Sequence, residues 1–288
     1  MRWLIGDVEI VRIIEVARAA LPTEYVTGGI TAEQVLALEW MKPHFCDPSG
    51  KVILSFHAFL VRAESKMILV DTCFGAGRDL PSAMFCNLGR GFLDNLASAG
   101  AKPEDVDIVL CTHMHYDHVG WNTQNEDGQW VPTFRNARYL YSAKDYEIMQ
   151  ERAGAGDSHA FHFVDTILPP VSAGLVDFID VVDGYQLCDA ISLLSTPGHS
   201  PDHFSVLISS KGENAVITGD IMHSPAQCAY PDKHPNADED KAIAADTRRK
   251  FLERFGDSGV LILGTHFPTP TAGFIERSEE AWRFTGPT

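Results

Sequence analysis

Four residues able to hold a metal ion fall within six positions, in the run His113-Met114-His115-Tyr116-Asp117-His118. Imidazole nitrogens and a carboxylate form a donor set suited to zinc and similar divalent ions. The apolar run Ile108-Val109-Leu110 stands just before them, so the donors sit at the end of a strand. Side chains two apart in extended chain point the same way, which lets His113 and His115 grip one ion. A turn after them then aims Asp117 and His118 at a second.

Four more donors each follow an apolar run and sit in loops of small residues. They are Asp71 in Val70-Asp71-Thr72, His199 in Thr196-Pro197-Gly198-His199-Ser200, Asp220 in Thr218-Gly219-Asp220, and His266 in Gly264-Thr265-His266. Alone, each reads as an ordinary satisfied loop residue. Together they supply what the first cluster lacks, because two ions need about three protein ligands each, a bridge, and a position open to water.

These loops need a scaffold, and the sequence predicts one of interleaved strands and helices. Val8–Glu15 is β-rich, and Val52–Arg62 and Met67–Asp71 form a hairpin about a polar turn at Glu64-Ser65. Helices are expected at Thr31–Met41, Leu88–Ala99, Ser142–Arg152 and Ala237–Phe255, with Thr31 and Ser142 as caps and Gly100 and Gly256 as stops. Short apolar strands lie between them, at Asp107–Cys111, Arg138–Tyr141, Ile191–Leu194, Phe204–Ile208, Ala215–Thr218 and Val260–Leu263. The pattern reads as one α/β domain with a less regular insertion near residues 22–50.

Composition agrees with a globular chain: 288 residues, 45% hydrophobic and 22% charged. The net charge of −16 repels a phosphate backbone, so no nucleic-acid partner is expected, and the basic clusters, such as Arg248-Arg249-Lys250, are short. No apolar run reaches the roughly 20 residues that cross a bilayer, and Asp7 interrupts any secretory signal. Six scattered cysteines without Cys-x-x-Cys spacing read as thiols in a reducing compartment, so a cytoplasmic location is expected.

The order of motifs, an early strand-end Asp, then His-x-His-x-Asp-His, then Gly-His, Gly-Asp and a late His, resembles the metallo-β-lactamase superfamily of metallohydrolases. The likeness runs from about Val52 to His266. It implies a four-layer αβ/βα sandwich, a single domain over residues 1–288, with 22–50 as a flap or dimer contact. It further implies that His113, His115 and His199 hold one metal, that Asp117, His118 and His266 hold a second, and that Asp220 bridges them. Asp71 would orient the ligand loops from behind. Two divalent ions, zinc by their ligand types, would then carry a bridging hydroxide that attacks a carbonyl or phosphoryl centre.

Departures within the superfamily narrow the chemistry. Redox di-iron relatives carry Glu where this chain has His115, which favours hydrolysis. Dedicated β-lactamases lack the bridging Asp that Asp220 supplies. Only 22 residues follow His266, so the helical domain that glyoxalase II uses for its thioester is not expected. The remaining likeness is to lactonases, related ester hydrolases and the methyl-parathion-hydrolase type. A small ester or lactone is the expected substrate, with an organophosphate or phosphodiester left open, as is a homodimer. The lactonases often place a substrate-binding Tyr three residues after the bridging Asp, and here that residue is His223.

Asp117 is the expected proton shuttle, with a purely static ligand as the alternative. His223 is expected to contact substrate or leaving group, with a packing role equally open. Trp121, Tyr25, Trp40, Met41 and Phe45 are pocket-wall candidates or, singly, packing residues. His159 and His162 read as surface, and His44, His57, His203 and His234 read the same way.

Overall fold

A computed structural model describes residues 1–278 and 281–286. The chain forms two compact units, one of Met1–Glu15 with His57–Asp180 and one of Val16–Phe56 with Val181–Thr288. The strands are β1 (Arg2–Ile5), β2 (Val8–Leu21), β3 (Val52–Ala63), β4 (Lys66–Val70), β5 (Ile108–Leu110), β6 (Thr123–Glu126), β7 (Gln129–Pro132), β8 (Arg138–Ser142) and β9 (Val176–Ile179). They continue as β10 (Gln186–Cys188), β11 (Ile191–Ser195), β12 (Phe204–Ser210), β13 (Glu213–Ile217), β14 (Leu261–Leu263), β15 (Ala272–Ser278) and β16 (Ala281–Thr285). The α-helices are α1 (Thr23–Thr27), α2 (Ala32–Ala37), α3 (Gly91–Ser98), α4 (Ala143–Gly154), α5 (Leu168–Ser172), α6 (Ala226–Ala229) and α7 (Lys241–Phe255).

The first unit is built on a sheet in the order β1-β2-β3-β4-β5-β8-β9, whose strands β2 and β3 run on past the unit boundary. The expected hairpin is present: β3 and β4 pair antiparallel, and both turn residues, Glu64 (φ 49°) and Ser65 (φ 63°), take the left-handed conformation that two-residue hairpin loops favour. From β4 onward the strands are parallel, with Val70 opposite Leu110 and Val109 opposite Tyr139. Parallel neighbours need crossovers: α3 lies in that from β4 to β5, the β6–β7 hairpin in that from β5 to β8, and α4 and α5 in that from β8 to β9. Phe92, Leu93 and Leu96 of α3 and Met149 of α4 pack on Leu60, Leu69, Val109, Tyr139 and Tyr141 in one buried core.

In the second unit the order is β10-β11-β12-β13-β14-β15-β16. It is antiparallel except at β13 and β14, where Ile217 lies opposite Leu263. Helix α7 buries Ala244, Ala245, Arg248, Phe251, Leu252 and Phe255, a stripe at helical spacing in which Arg248 is the one charged member. The expected start of that helix at Ala237 moves to Lys241, because Asp240 is the cap, its side chain accepting from Ile243 N at 2.9 Å. Thr31 caps α2 with Gln34 as its reciprocal partner, but the helix stops at Ala37 and a single tighter turn, Glu39–Met41, follows. Met41 and Phe45 of the insertion are buried, and Phe45 meets Phe267 and Phe284 edge-on, so both pack the second unit. Tyr25 is exposed and Trp40 half-buried.

Trp121 also proves to be core rather than pocket wall: it stacks on Phe92 at 5.8 Å and donates Nε1–H to Glu15 at 2.6 Å. Beside it, Gly120 leaves no room for a side chain, since a Cβ there would lie 1.9 Å from the Phe74 backbone. Substituting Gly120→Ala should therefore cost about 2–3 kcal/mol of stability through forced backbone displacement. Gly89→Ala, in open space, should cost less than about 0.5 kcal/mol. Urea midpoints of the metal-free proteins, at unchanged m-value, check the difference.

Candidate functional site

In the first unit the donors stand where β4 and β5 end side by side. Asp71, in the left-handed conformation at φ 62°, turns the chain off β4, and its amide donates to Leu110 O at 2.9 Å. Its carboxylate accepts from Thr112 N at 2.8 Å, from Thr112 Oγ1 at 2.9 and 3.0 Å, and meets His118 Nδ1 at 3.0 Å. Thr72 N to His118 O at 2.7 Å and Gly120 N to Cys73 O at 2.7 Å join the two loops further. The segment after Leu110 is bends and turn rather than extended strand, so the alternation expected to align His113 with His115 does not apply. The loop brings them together instead, with His113 Nε2 3.0 Å from His115 Nδ1.

Asp117 Oδ2 lies 3.6 Å from His118 Nε2, and its side chain is partly exposed. His162 is buried, which corrects the surface reading, and its ring Nε2 meets Met114 O at 2.8 Å in the middle of the donor run. The carbonyl can only accept, so Nε2 carries the proton. His159 is exposed and pairs with Asp157. Tyr116, between His115 and Asp117, sits 5.8 Å from Phe74 and 5.5 Å from Phe161, and Phe74 stacks on Phe85 at 4.5 Å. An apolar aromatic run thus begins at the donor segment.

The second unit gathers His199, Asp220, His223 and His266. Asp220 Oδ2 is 3.1 Å from His266 Nε2, 3.1 Å from His223 Nε2 and 3.5 Å from His199 Nε2. The Asp220 turn follows β13, and its Gly219 (φ 57°) lies so close to His203 that a Cβ would sit 2.4 Å from the ring. His203 Nε2 accepts the Asp220 amide proton at 2.8 Å, while its Nδ1 donates to Thr196 O at 3.0 Å. His203 is buried, as is His57, which corrects the surface reading of both, and His203 ties the His199 loop to the Asp220 loop. His223 lies parallel to the His266 ring at 5.4 Å, and Gln227 Oε1 accepts its amide at 2.8 Å.

The donor chemistry fits metal. In each of three buried histidines Nδ1 faces an acceptor, and Nε2 is the nitrogen turned to the neighbouring donors. The acceptors are the Asp71 carboxylate for His118, the Asp238 carboxylate for His199 at 2.8 Å, and Ser55 O for His266 at 3.3 Å. Such backing fixes the tautomer and orients an imidazole for a cation. Within the second unit, ligand atoms of His199, Asp220 and His223 all lie within 4.8 Å of one another, a group able to hold an ion. Asp238 was missed from sequence because it stands in an acidic stretch, Asp238-Glu239-Asp240, where only its burial distinguishes it.

Residues 57–266 match the family described as the metallo-beta-lactamase superfamily. The chain is similar to an N-acyl homoserine lactonase of Bacillus cereus, with 25% identity over 222 residues, 72% of this chain and 78% of the relative. Among solved structures it is similar to the hydrolase AbOPH of the beta lactamase superfamily, with TM-score 0.80, 26% identity, and coverage of 100% of this chain and 97% of that one. The dizinc quorum-quenching lactonase AidC, solved with its product, superposes at TM-score 0.80 over the same shares at 20% identity, a likeness of fold.

Burial lowers the His162 pKa from 6.5 to about 4. The ring stays neutral in the fold but takes a proton in the unfolded chain below pH 6.5, so its contribution is complete above 6.5 and is lost as pH falls towards 4. The difference amounts to about 3 kcal/mol. Between pH 7 and pH 4 the metal-free wild type should lose about that much more stability than His162→Gln, measured by urea unfolding at each pH. Parallel losses in the two proteins would contradict it.

Proposed function

The chain belongs to the metallo-β-lactamase superfamily, and on that footing we propose that it is a metal-dependent hydrolase of small carboxylic esters or lactones. In this reading His113, His115 and His199 would hold one zinc ion, Asp117, His118 and His266 would hold a second, and Asp220 would serve both. The observation that carries it is the meeting of three imidazole Nε2 atoms at the Asp220 carboxylate, two of the rings, His199 and His266, backed at Nδ1. Two divalent ions, when bound, supply a water activated near neutral pH and positive charge for the oxyanion that develops.

The chain's own residues do the rest. Asp117, partly exposed beside His118, receives the proton released as the nucleophile forms and passes it on. His223, 3.1 Å from Asp220, meets the substrate or protonates the leaving oxygen. The aromatic run from Tyr116 through Phe74 and Phe161 gives the acyl part an apolar surface. Similarity to N-acyl homoserine lactonases supports a lactone, while His223 in place of their Tyr points to the wider lactone and ester class. None of the six cysteines is in a disulfide and no described helix is long and apolar enough to cross a membrane, which suits the cytoplasmic site we propose.

Protein purified without added metal should carry two zinc equivalents. It should turn over a γ-lactone or aryl ester faster than a phosphotriester or phosphodiester in one panel. His118→Ala and Asp220→Ala should each lose metal and measurable turnover. Turnover of the phosphodiester alone, or full activity with a single metal equivalent, would refute the reading.

A further inference from the structure

We propose that Asp238 and Arg248 form a clamp that positions His199 and Asp220 for metal binding. The proposal rests on the reading above only in taking those two residues as metal donors. Asp238 Oδ1 meets His199 Nδ1 at 2.8 Å, and Asp238 Oδ2 meets Arg248 Nη2 at 3.3 Å, with all three side chains no more than 2% exposed. The guanidinium is otherwise committed to backbone: Nε donates to Ile221 O at 2.8 Å, and Nη1 donates to Pro231 O at 2.8 Å and Lys233 O at 2.6 Å.

Each bond has a consequence for a donor. The carboxylate behind His199 holds the proton on Nδ1, leaves Nε2 facing Asp220, and makes that nitrogen a stronger donor. The Ile221 carbonyl belongs to the residue after Asp220, so the same guanidinium also fixes the backbone that carries the carboxylate. A planar, rigid fork can set two loops at once in a way that a lysine could not. Its seat on α7 explains the charged member of an otherwise apolar stripe.

Stability is a poor explanation for the pair, since replacing a buried ion pair by apolar residues is often neutral or stabilising. Asp71 plays the corresponding part for His118 in the first unit, with backbone and hydroxyl donors in place of an arginine.

Zinc affinity, measured by chelator competition, tests the clamp in Asp238→Asn and in the double variant Asp238→Leu/Arg248→Met, whose apolar pair keeps the volume filled. Glu276→Gln, at the exposed Arg283–Glu276 pair, is the control. The double variant should melt, metal-free, close to the wild type yet bind zinc about 10–100-fold more weakly, with Asp238→Asn weakened less and the control unchanged. Wild-type zinc affinity in a folded double variant would overturn the proposal. Should that variant not fold, long-range proton–nitrogen spectra of the metal-free wild type decide: a His199 proton on Nδ1 supports the clamp and one on Nε2 overturns it. A wild type that binds zinc but hydrolyses none of the four substrates would refute the ester reading instead and leave the clamp standing.

Discussion

A neutral imidazole offers one lone pair, and inside a protein whatever accepts the proton on the other nitrogen decides which one it is. That constraint governs both units. His118, His199 and His266 are each 1–2% exposed, where an unsatisfied N–H would cost about 1–3 kcal/mol. Each therefore needs an acceptor at its back, and the chain supplies Asp71, Asp238 and the Ser55 carbonyl. With the Nδ1 protons committed, the Nε2 atoms are directed without further adjustment. The loops that bear these rings are shaped by where the acceptors can stand.

The sheets set those places. Each unit contains a parallel pair that stops in register, Val70 with Leu110 in one and Ile217 with Leu263 in the other. Loops leaving the carboxyl ends of parallel strands emerge side by side, which is why such ends recur as binding sites. Side-by-side exit brings Asp71 onto the Thr112 amide and Thr265 N onto Thr218 Oγ1 at 3.1 Å. The departures are sharp, and positive φ at Asp71, Cys73 and Gly219 is the local cost of turning within one or two residues. Gly120 serves a different need, allowing two backbones to touch.

How much of this could be read beforehand follows from the range of each interaction. Strand ends and their donors were legible because an apolar run followed by a His or Asp in a small-residue loop is a local pattern. The hairpin at Glu64-Ser65 and the caps Thr31 and Ser142 are equally local, and all three are present. Asp238, His162 and His203 were not legible: they act on residues 39, 48 and 17 positions away, and nothing beside them marks the partner. Trp121 misled for the opposite reason, since adjacency to the donor run suggested exposure while its ring belongs to the core under α3. Of the 12 histidines, the count tied to the donor loops thus rises beyond the five expected as ligands and His223 to include His162 and His203, which hold backbone.

Charge completes the argument. A chain of net charge −16 places Asp71, Asp220 and Asp238 at 2–3% exposure, where an uncompensated carboxylate is costly. Asp238 has Arg248, and Asp71 has the Thr112 amide and hydroxyl. Near Asp220, His199, His223 and His266 each bring Nε2 within 3.5 Å of its carboxylate, and the backing of His199 and His266 leaves their near nitrogens as lone pairs rather than proton donors. Those two lone pairs repel the carboxylate they face, and a cation standing between would relieve the repulsion. The tautomers that His199 and His266 owe to their acceptors therefore create the demand for positive charge at Asp220, and a divalent ion is the species that meets it.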